Sequence, residues 1–179
     1  MRRQWRTVLC GLALLFVVSA CASAARATTA QGAAPAPTLE QAIALYQQGR
    51  YADAERILRG LQGTDASAYL SVSLARQQKF AEAEAPASGA LAANPTHSVA
   101  VEGLGQSLVG QRKYDDAIAR LTAALAAKND LAYAYYWRGM AYYNKKQPDK
   151  MIGDFESFLR LAPQAPEAAT VRQLLSTFK

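Results

Sequence analysis

The pattern of apolar and polar positions divides this chain into three stretches. From Val8 to Val18 (VLCGLALLFVV) apolar residues run without a charge. From Arg26 to Thr38 (RATTAQGAAPAPT) large apolar side chains almost disappear. Beyond Leu39 they return on helical spacing, as at the C-terminus, where Val171, Leu174, Leu175 and Phe178 fall at i, i+3, i+4 and i+7 and form one stripe. Within this last stretch one element recurs: an aromatic residue, two variable residues, then Ala. It appears as Tyr51-Ala52-Asp53-Ala54, Phe80-Ala81-Glu82-Ala83 and Tyr114-Asp115-Asp116-Ala117, with a degenerate copy at Pro148-Asp149-Lys150-Met151. The last positions of these copies are 29, 34 and 34 residues apart. Nine residues earlier stand Leu45, Leu74, Leu108 and Tyr142; twelve earlier stand the small residues Ala42, Ser71, Gly105 and Gly139. Four later stand Leu58, Ala87, Leu121 and Phe155, and Pro95 and Pro163 close two of the copies. Amphipathicity alone requires no such period, so the pattern indicates stacked repeats of one helical hairpin.

Ala-rich, Leu-containing sequence favours helix at these positions. In each copy the small residue of the first helix (A) allows the second (B) to approach closely. Gly105 and Gly139 are therefore expected at A–B contacts, with Ala117 buried opposite Gly105 and with Tyr135 and Tyr142 largely buried. Three departures stand out. The first spacing is short, and Gly60 and Gly63 mark a tight connection there. Pro86 falls within helix B of the second copy, where it should kink the helix or end its first part. Pro148 and Met151 replace the aromatic and the Ala of the fourth copy. Residues 164–179 read as a final helix that covers the last apolar face, with Pro166 and Glu167 suited to its start.

The N-terminus carries different information. Arg2, Arg3 and Arg6 precede the apolar run, and Ser19, Ala20, Cys21, Ala22, Ser23 and Ala24 follow it. This is the order of a bacterial export signal. Val18-Ser19-Ala20-Cys21 resembles the lipobox of bacterial lipoproteins, which implies cleavage before Cys21 and a diacylglycerol on its Sγ. Cleavage after Ala22-Ser23-Ala24 and an uncleaved anchor are the alternatives. The domain reading is thus 1–20 signal peptide, 21–38 lipidated Cys and linker, 39–163 four repeats, and 164–179 capping helix.

The 34-residue register resembles the tetratricopeptide repeat family, most closely from Ala132 to Pro163. The resemblance implies an all-α, right-handed superhelix (α-solenoid) of about four hairpins, with a concave groove lined mainly by helices A. Carried over, the groove positions are Ala68, Val72, Ala75 and Arg76 in the second copy and Val99, Glu102, Gln106 and Val109 in the third. In the fourth they are Tyr133, Tyr136, Met140, Tyr143 and Asn144. The basic, Asn-rich clamp that some members use on a C-terminal carboxylate is absent, since Glu102 stands where a lysine is needed. Tyr136, Met140 and Tyr143 share one helical face, which must meet either the groove or the capping helix.

Charge and chemistry narrow the function. The formal charge is +6, but outside Arg2, Arg3 and Arg6 only 17 basic residues face 14 acidic ones, too weak a bias for a nucleic-acid partner. Both cysteines, Cys10 and Cys21, lie in the export segment, which leaves the repeats without a disulfide or a Cys-based zinc site. The lone histidine, His97, reads as a solvated loop residue. Acidic residues Glu82, Glu84, Asp115 and Asp116 lie near the starts of B helices, where they complement the helix dipole. No catalytic residue, metal site, cofactor or small-molecule substrate is expected. The reading is a scaffold or adaptor of the cell envelope, on the periplasmic side of the outer membrane, that binds a peptide or protein partner. A soluble exported, chaperone-like module is the alternative.

Overall fold

The computed structural model describes residues 36–178; the expected signal peptide, the lipidation expected at Cys21 and most of the expected linker lie outside them. Among the described residues the structure is entirely helical: α1 (Leu39–Gln47), α2 (Tyr51–Leu58), α3 (Thr64–Arg76), α4 (Phe80–Ala93), α5 (Ser98–Gly110), α6 (Tyr114–Ala127), α7 (Ala132–Asn144), α8 (Pro148–Leu161) and α9 (Ala168–Ser176). Successive pairs form hairpins: α1–α2, α3–α4, α5–α6 and α7–α8. Each B helix also packs on the next A helix, and α3, α5 and α7 stack side by side, giving a solenoid of helical hairpins. Thr38, at the end of the linker, belongs to the fold: its hydroxyl accepts from Gln41 N–H while the Gln41 side chain accepts from Thr38 N–H, a capping box.

Every hairpin turns in the same way. At Gly49, Gln78, Arg112 and Lys146 the backbone is left-handed, with φ of 76°, 64°, 62° and 56°. The following residues, Arg50, Lys79, Lys113 and Gln147, donate to the carbonyls of Leu45, Leu74, Leu108 and Tyr142, which closes a Schellman motif on each A helix. Only the first turn uses glycine, the residue that enters this region without steric cost. Gln78→Gly, Arg112→Gly and Lys146→Gly should each raise the unfolding free energy by about 0.5–1 kcal/mol, and Gly49→Ala should lower it by a similar amount. Urea titrations of the four variants check this, and a loss of stability in the three glycine variants would refute it.

The short first spacing has its origin in a helix. α2 has 8 residues where α4, α6 and α8 have 14 each, so the missing residues come from helix B, beyond the tightness of the Gly60–Gly63 connection. The expected break at Pro86 does not occur, since α4 runs continuously from Phe80 to Ala93. The donor lost at Pro86 falls opposite the carbonyl of Glu82, an exposed residue that water can reach. On the opposite face Ala83, Ala87 and Ala90 are buried and hold the helix in place.

Three further expectations are corrected. The nearest atoms to a β-carbon on Gly139 are Phe155 and Asp154 of α8, as an A–B contact requires, but on Gly105 they are Trp137 of α7, the A helix of the next hairpin. Ala117 is fully buried, while Tyr135 and Tyr142 are only partly so, each with a cation over its ring (Arg138 at 5.7 Å, Lys150 at 5.4 Å). His97 is not a free loop residue. Its Nδ1 accepts from Ala100 N–H at 3.3 Å as the N-cap of α5, so the ring proton belongs on Nε2, which reaches Asp65 Oδ1 at 2.8 Å. α9 begins at Ala168, after Pro166 and Glu167, and buries Ala168, Val171 and Leu175, while Phe178 stays 44% exposed.

Candidate functional site

The candidate groove residues fall into three groups. The first is core. Val72 is fully buried, as are Ala68 and Ala75, which removes Val72 from any partner surface. The cause is Gly103 on α5: without a side chain it lets α3 approach, and a β-carbon there would lie 3.3 Å from a Val72 methyl.

The second group closes the groove from within. Arg76 donates to Glu102 Oε1 at 2.9 Å and lies 3.6 Å from Glu167 Oε1. Tyr133 O–H donates to Glu167 Oε2 at 2.9 Å. Tyr46 of α1 lies beside Arg76. Side chains of α1, α3 and α5 thus meet at Arg76, and Arg76 and Tyr133 of α7 both reach Glu167, which immediately precedes α9. Burial pushes the Glu102 carboxyl above the usual carboxylate range, against the opposing pull of Arg76. Burial, aided by Glu102, pushes the Tyr46 hydroxyl up to about 12. It also raises Tyr133 and Tyr136, with Glu167 adding to both shifts. Burial by itself would lower Arg76, but Glu102, Tyr46 and Glu167 hold its guanidinium charged. Arg76 Nε and the Oε1 of Gln106 are buried without a hydrogen-bond partner.

The aromatic face of α7 also turns inward. The Tyr136 ring lies 5.1 Å from Phe158, 6.2 Å from Phe155 and 4.9 Å from Trp137, and the Tyr133 ring lies 5.8 Å from Phe158. Together with Met140 these tyrosines pack on the cluster of Met151, Phe155, Phe158, Val171 and Leu175. Helix α8 of the same hairpin thus takes up most of the face that periodicity leaves undecided, and Tyr133 reaches the start of the capping helix, at Glu167. This hairpin also holds a buried pair outside the sequence expectations: Arg138 clamps Asp154 through two hydrogen bonds of 2.8 and 2.7 Å. Its sequence signal, a lone acid among the apolar positions of α8, is too weak to find it.

The third group stays accessible. Tyr143 is 42% exposed. Asn144 is exposed too; its amide donates to Met140 O at 2.8 Å, and its Oδ1 accepts from Tyr114 O–H at 3.2 Å. Both border a cavity of about 500 Å³ at the α7–α8 turn, together with Lys146, Gln147, Pro148, Met151 and Phe178. The acidic residues read as helix-dipole partners also join repeats: Glu82 pairs with Arg59, Glu84 with Lys113 and Asp115 with Lys145. Among the described residues no group of three or more His, Cys, Asp or Glu side chains could hold a metal ion, and no helix is long and apolar enough to cross a membrane.

Comparison with solved structures agrees with this architecture. A thermophilic TPR protein of Thermus thermophilus superposes with a TM-score of 0.67 at 20% identity, over 76% of this chain and 80% of that one. YrrB, described as a TPR protein with an unusual peptide-binding site, gives 0.59 at 17% identity over 74% of this chain and 71% of its own. MamA of Desulfovibrio magneticus RS-1 gives 0.56 at 20% identity over 77% and 89%. At these identities the likeness concerns the fold. No curated protein matches. The tetratricopeptide repeat family model matches residues 39–98 and 103–166, which together make up more than half of the sequence, and the chain belongs to the tetratricopeptide repeat family.

Proposed function

We propose that this protein is a non-catalytic scaffold of the bacterial cell envelope, anchored through a lipid on Cys21, that binds a peptide or protein partner. Tetratricopeptide repeat proteins generally serve as protein-interaction scaffolds, and YrrB is described as having a peptide-binding site. The observation that carries the reading is the division of the groove residues. Val72, Arg76, Glu102, Tyr133, Tyr136 and Met140 are committed to the fold, whereas Tyr143 and Asn144 present an aromatic ring and an amide beside an apolar cavity. An accessible aromatic beside a cavity is the kind of surface from which few residues dominate binding. This division supports a partner site at the turn-side rim of the groove, away from the Arg76–Glu102–Glu167 network.

The reading is tested in cells with a photo-crosslinking residue at Tyr143 and, as a control, at the exposed Gln62 of the first hairpin connection. The expected result is a discrete adduct from position 143 and none from 62. Equal labelling at both, or none at 143, would remove the scaffold role from this surface. Anchoring is tested on the same cells. Cys21→Ser should abolish labelling by a lipid precursor and leave uncleaved precursor, whereas an unlipidated mature protein beginning at Ala25 would replace the anchored form with the soluble one.

A further inference from the structure

The fourth hairpin lacks the aromatic that starts helix B in the other three. Phe80, Tyr114 and Pro148 share one register position, and so do Gly110, Asn144 and Phe178 at the ends of successive A helices. In the second hairpin the Phe80 ring lies against Gly110 of α5, so close that a β-carbon there would come within 2.5 Å of the ring. In the third, Tyr114 reaches across to Asn144 of α7 with its hydroxyl at 3.2 Å. In the fourth, Pro148 is too small to cross the gap, and the aromatic comes instead from the other side, as Phe178 two residues beyond α9. Phe178 does not fill the slot: it remains 44% exposed, and about 500 Å³ stays open between it, Tyr143, Met151 and Pro148. That volume lies within the range of ligand-binding clefts and accommodates an aromatic side chain.

The rim of the slot is basic. A second hollow of about 350 Å³ adjoins the first, shares Lys146, Gln147 and Pro148 with it, and adds Asp149 and Lys150. Lys145 on this turn pairs with Asp115 and the Lys150 ammonium lies 5.4 Å from the Tyr142 ring, but Lys146 makes no ion pair among the described residues. The first turn of α8, with its free N–H groups, adds positive potential and Asp149 offsets part of it. This charge argues against the chain's own N-terminal segment as occupant, because residues 1–35 contain four arginines and no acidic residue.

We propose that the vacant aromatic position of the fourth repeat is a binding pocket for an aromatic side chain of a partner protein, carried in an acidic segment. The inference deepens the scaffold reading and rests on it. The partner's ring completes the slot that Tyr114 and Phe80 fill in the preceding hairpins, and its flanking carboxylates meet Lys146 and Lys150.

The test uses the purified full chain in detergent and a fluorescein-labelled peptide with a single Phe between paired glutamates. Fluorescence anisotropy should show saturable binding that is lost when the Phe becomes Ala or the glutamates become lysines. Pro148→Tyr, which restores the repeat aromatic from inside, should weaken binding at least tenfold without lowering the melting temperature. Lys146→Glu, an exposed substitution that leaves the fold intact, should weaken it to a similar extent and give a second reading if the first variant misfolds. No binding by the wild type, or undiminished binding by both variants, overturns the proposal. So does concentration-dependent self-association that Pro148→Tyr abolishes, because the pocket would then belong to a second copy of the chain. If the crosslink from position 143 persists in Pro148→Tyr cells, the pocket assignment fails while the scaffold role stands; absence of that crosslink in the wild type would mean the scaffold reading itself had failed.

Discussion

Gly105→Ala is expected to destabilise the fold by about 2–3 kcal/mol, near the upper end of what overpacking a closed site costs. The added methyl would lie 2.5 Å from Trp137 Cβ and 2.7 Å from its Cγ. The β-carbon keeps its place in every rotamer, so no rotamer change clears the clash, and α5 and α7 must separate. α5 cannot yield in the other direction, because Gly103 already packs there on α3, where a methyl would lie 2.9 Å from Ser71 Cβ. The control is the same substitution at Gly89. That position is exposed in the interior of α4, with no atom within 4 Å of a β-carbon, and there alanine should stabilise by about 1 kcal/mol through helix propensity alone. Urea unfolding of the two variants should therefore shift the midpoint in opposite directions. Equal shifts would mean that the α5–α7 contact is looser than the structure has it. If Trp137 is the obstacle, Trp137→Gly, which removes the Cβ as well as the Cγ, should absorb much of the Gly105→Ala penalty in a double-mutant cycle.

How much of this is legible in the sequence depends on the range of the interaction. The hairpins, their order and their turns follow from short-range spacing, and α3 to α8 begin and end close to where the repeated aromatic and small residues put them. Pro86 does not end α4 because its local penalty is outweighed by tertiary packing of Ala83, Ala87 and Ala90 against the rest of the array. Gly105 and Gly139 occupy the same register position yet meet different helices. One faces a Trp from the next hairpin and the other a Phe from its own, a distinction set by the identity of a distant side chain. The groove is the least legible part. Periodicity places Tyr136, Met140 and Tyr143 on one face of α7 but says nothing of which neighbour that face meets. Likewise, the contact of Arg76 with Glu167 joins residues far apart in the array, and no local pattern announces it. The vacant slot is the converse case. Pro148 is visible as a departure from the repeat, but only the position of Phe178 shows that the gap stays open.

Acid should loosen the first junction more than the others, and Glu55 is the reason. Its carboxylate is almost wholly buried, yet it receives Arg59 Nε at 2.9 Å, Gln77 Nε2 at 2.8 Å and Lys79 Nζ at 2.8 Å, the last two from the next hairpin. Burial is the largest single influence and would raise its pKa, but the combined donors outweigh it and hold the group at about 2, against an ordinary 4.5. The same arrangement recurs one hairpin later, where Glu84 accepts from Gln111 at 2.9 Å and Lys113 at 2.8 Å in a more exposed setting. The third junction has Ile118 and Gln147 at the corresponding positions, and a different pair, Asp115 with Lys145, takes over. Because the folded-state pKa is depressed, the stabilisation is fully present above about 4.5 and is lost as pH falls toward about 2. Solvent around the half-exposed Arg59 and Lys79 screens the interaction, so ionised Glu55 contributes about 1–2 kcal/mol. Glu55→Gln should cost that amount at pH 7 in urea titrations, and the gap between variant and wild type should close between pH 4.5 and pH 2. Glu55→Ala should cost about 2 kcal/mol, since it also strands Gln77 and Lys79, and Glu84→Ala about 1 kcal/mol. A gap between Glu55→Gln and wild type that stays constant down to pH 2 would show that the charge of Glu55 does not hold the first two hairpins together.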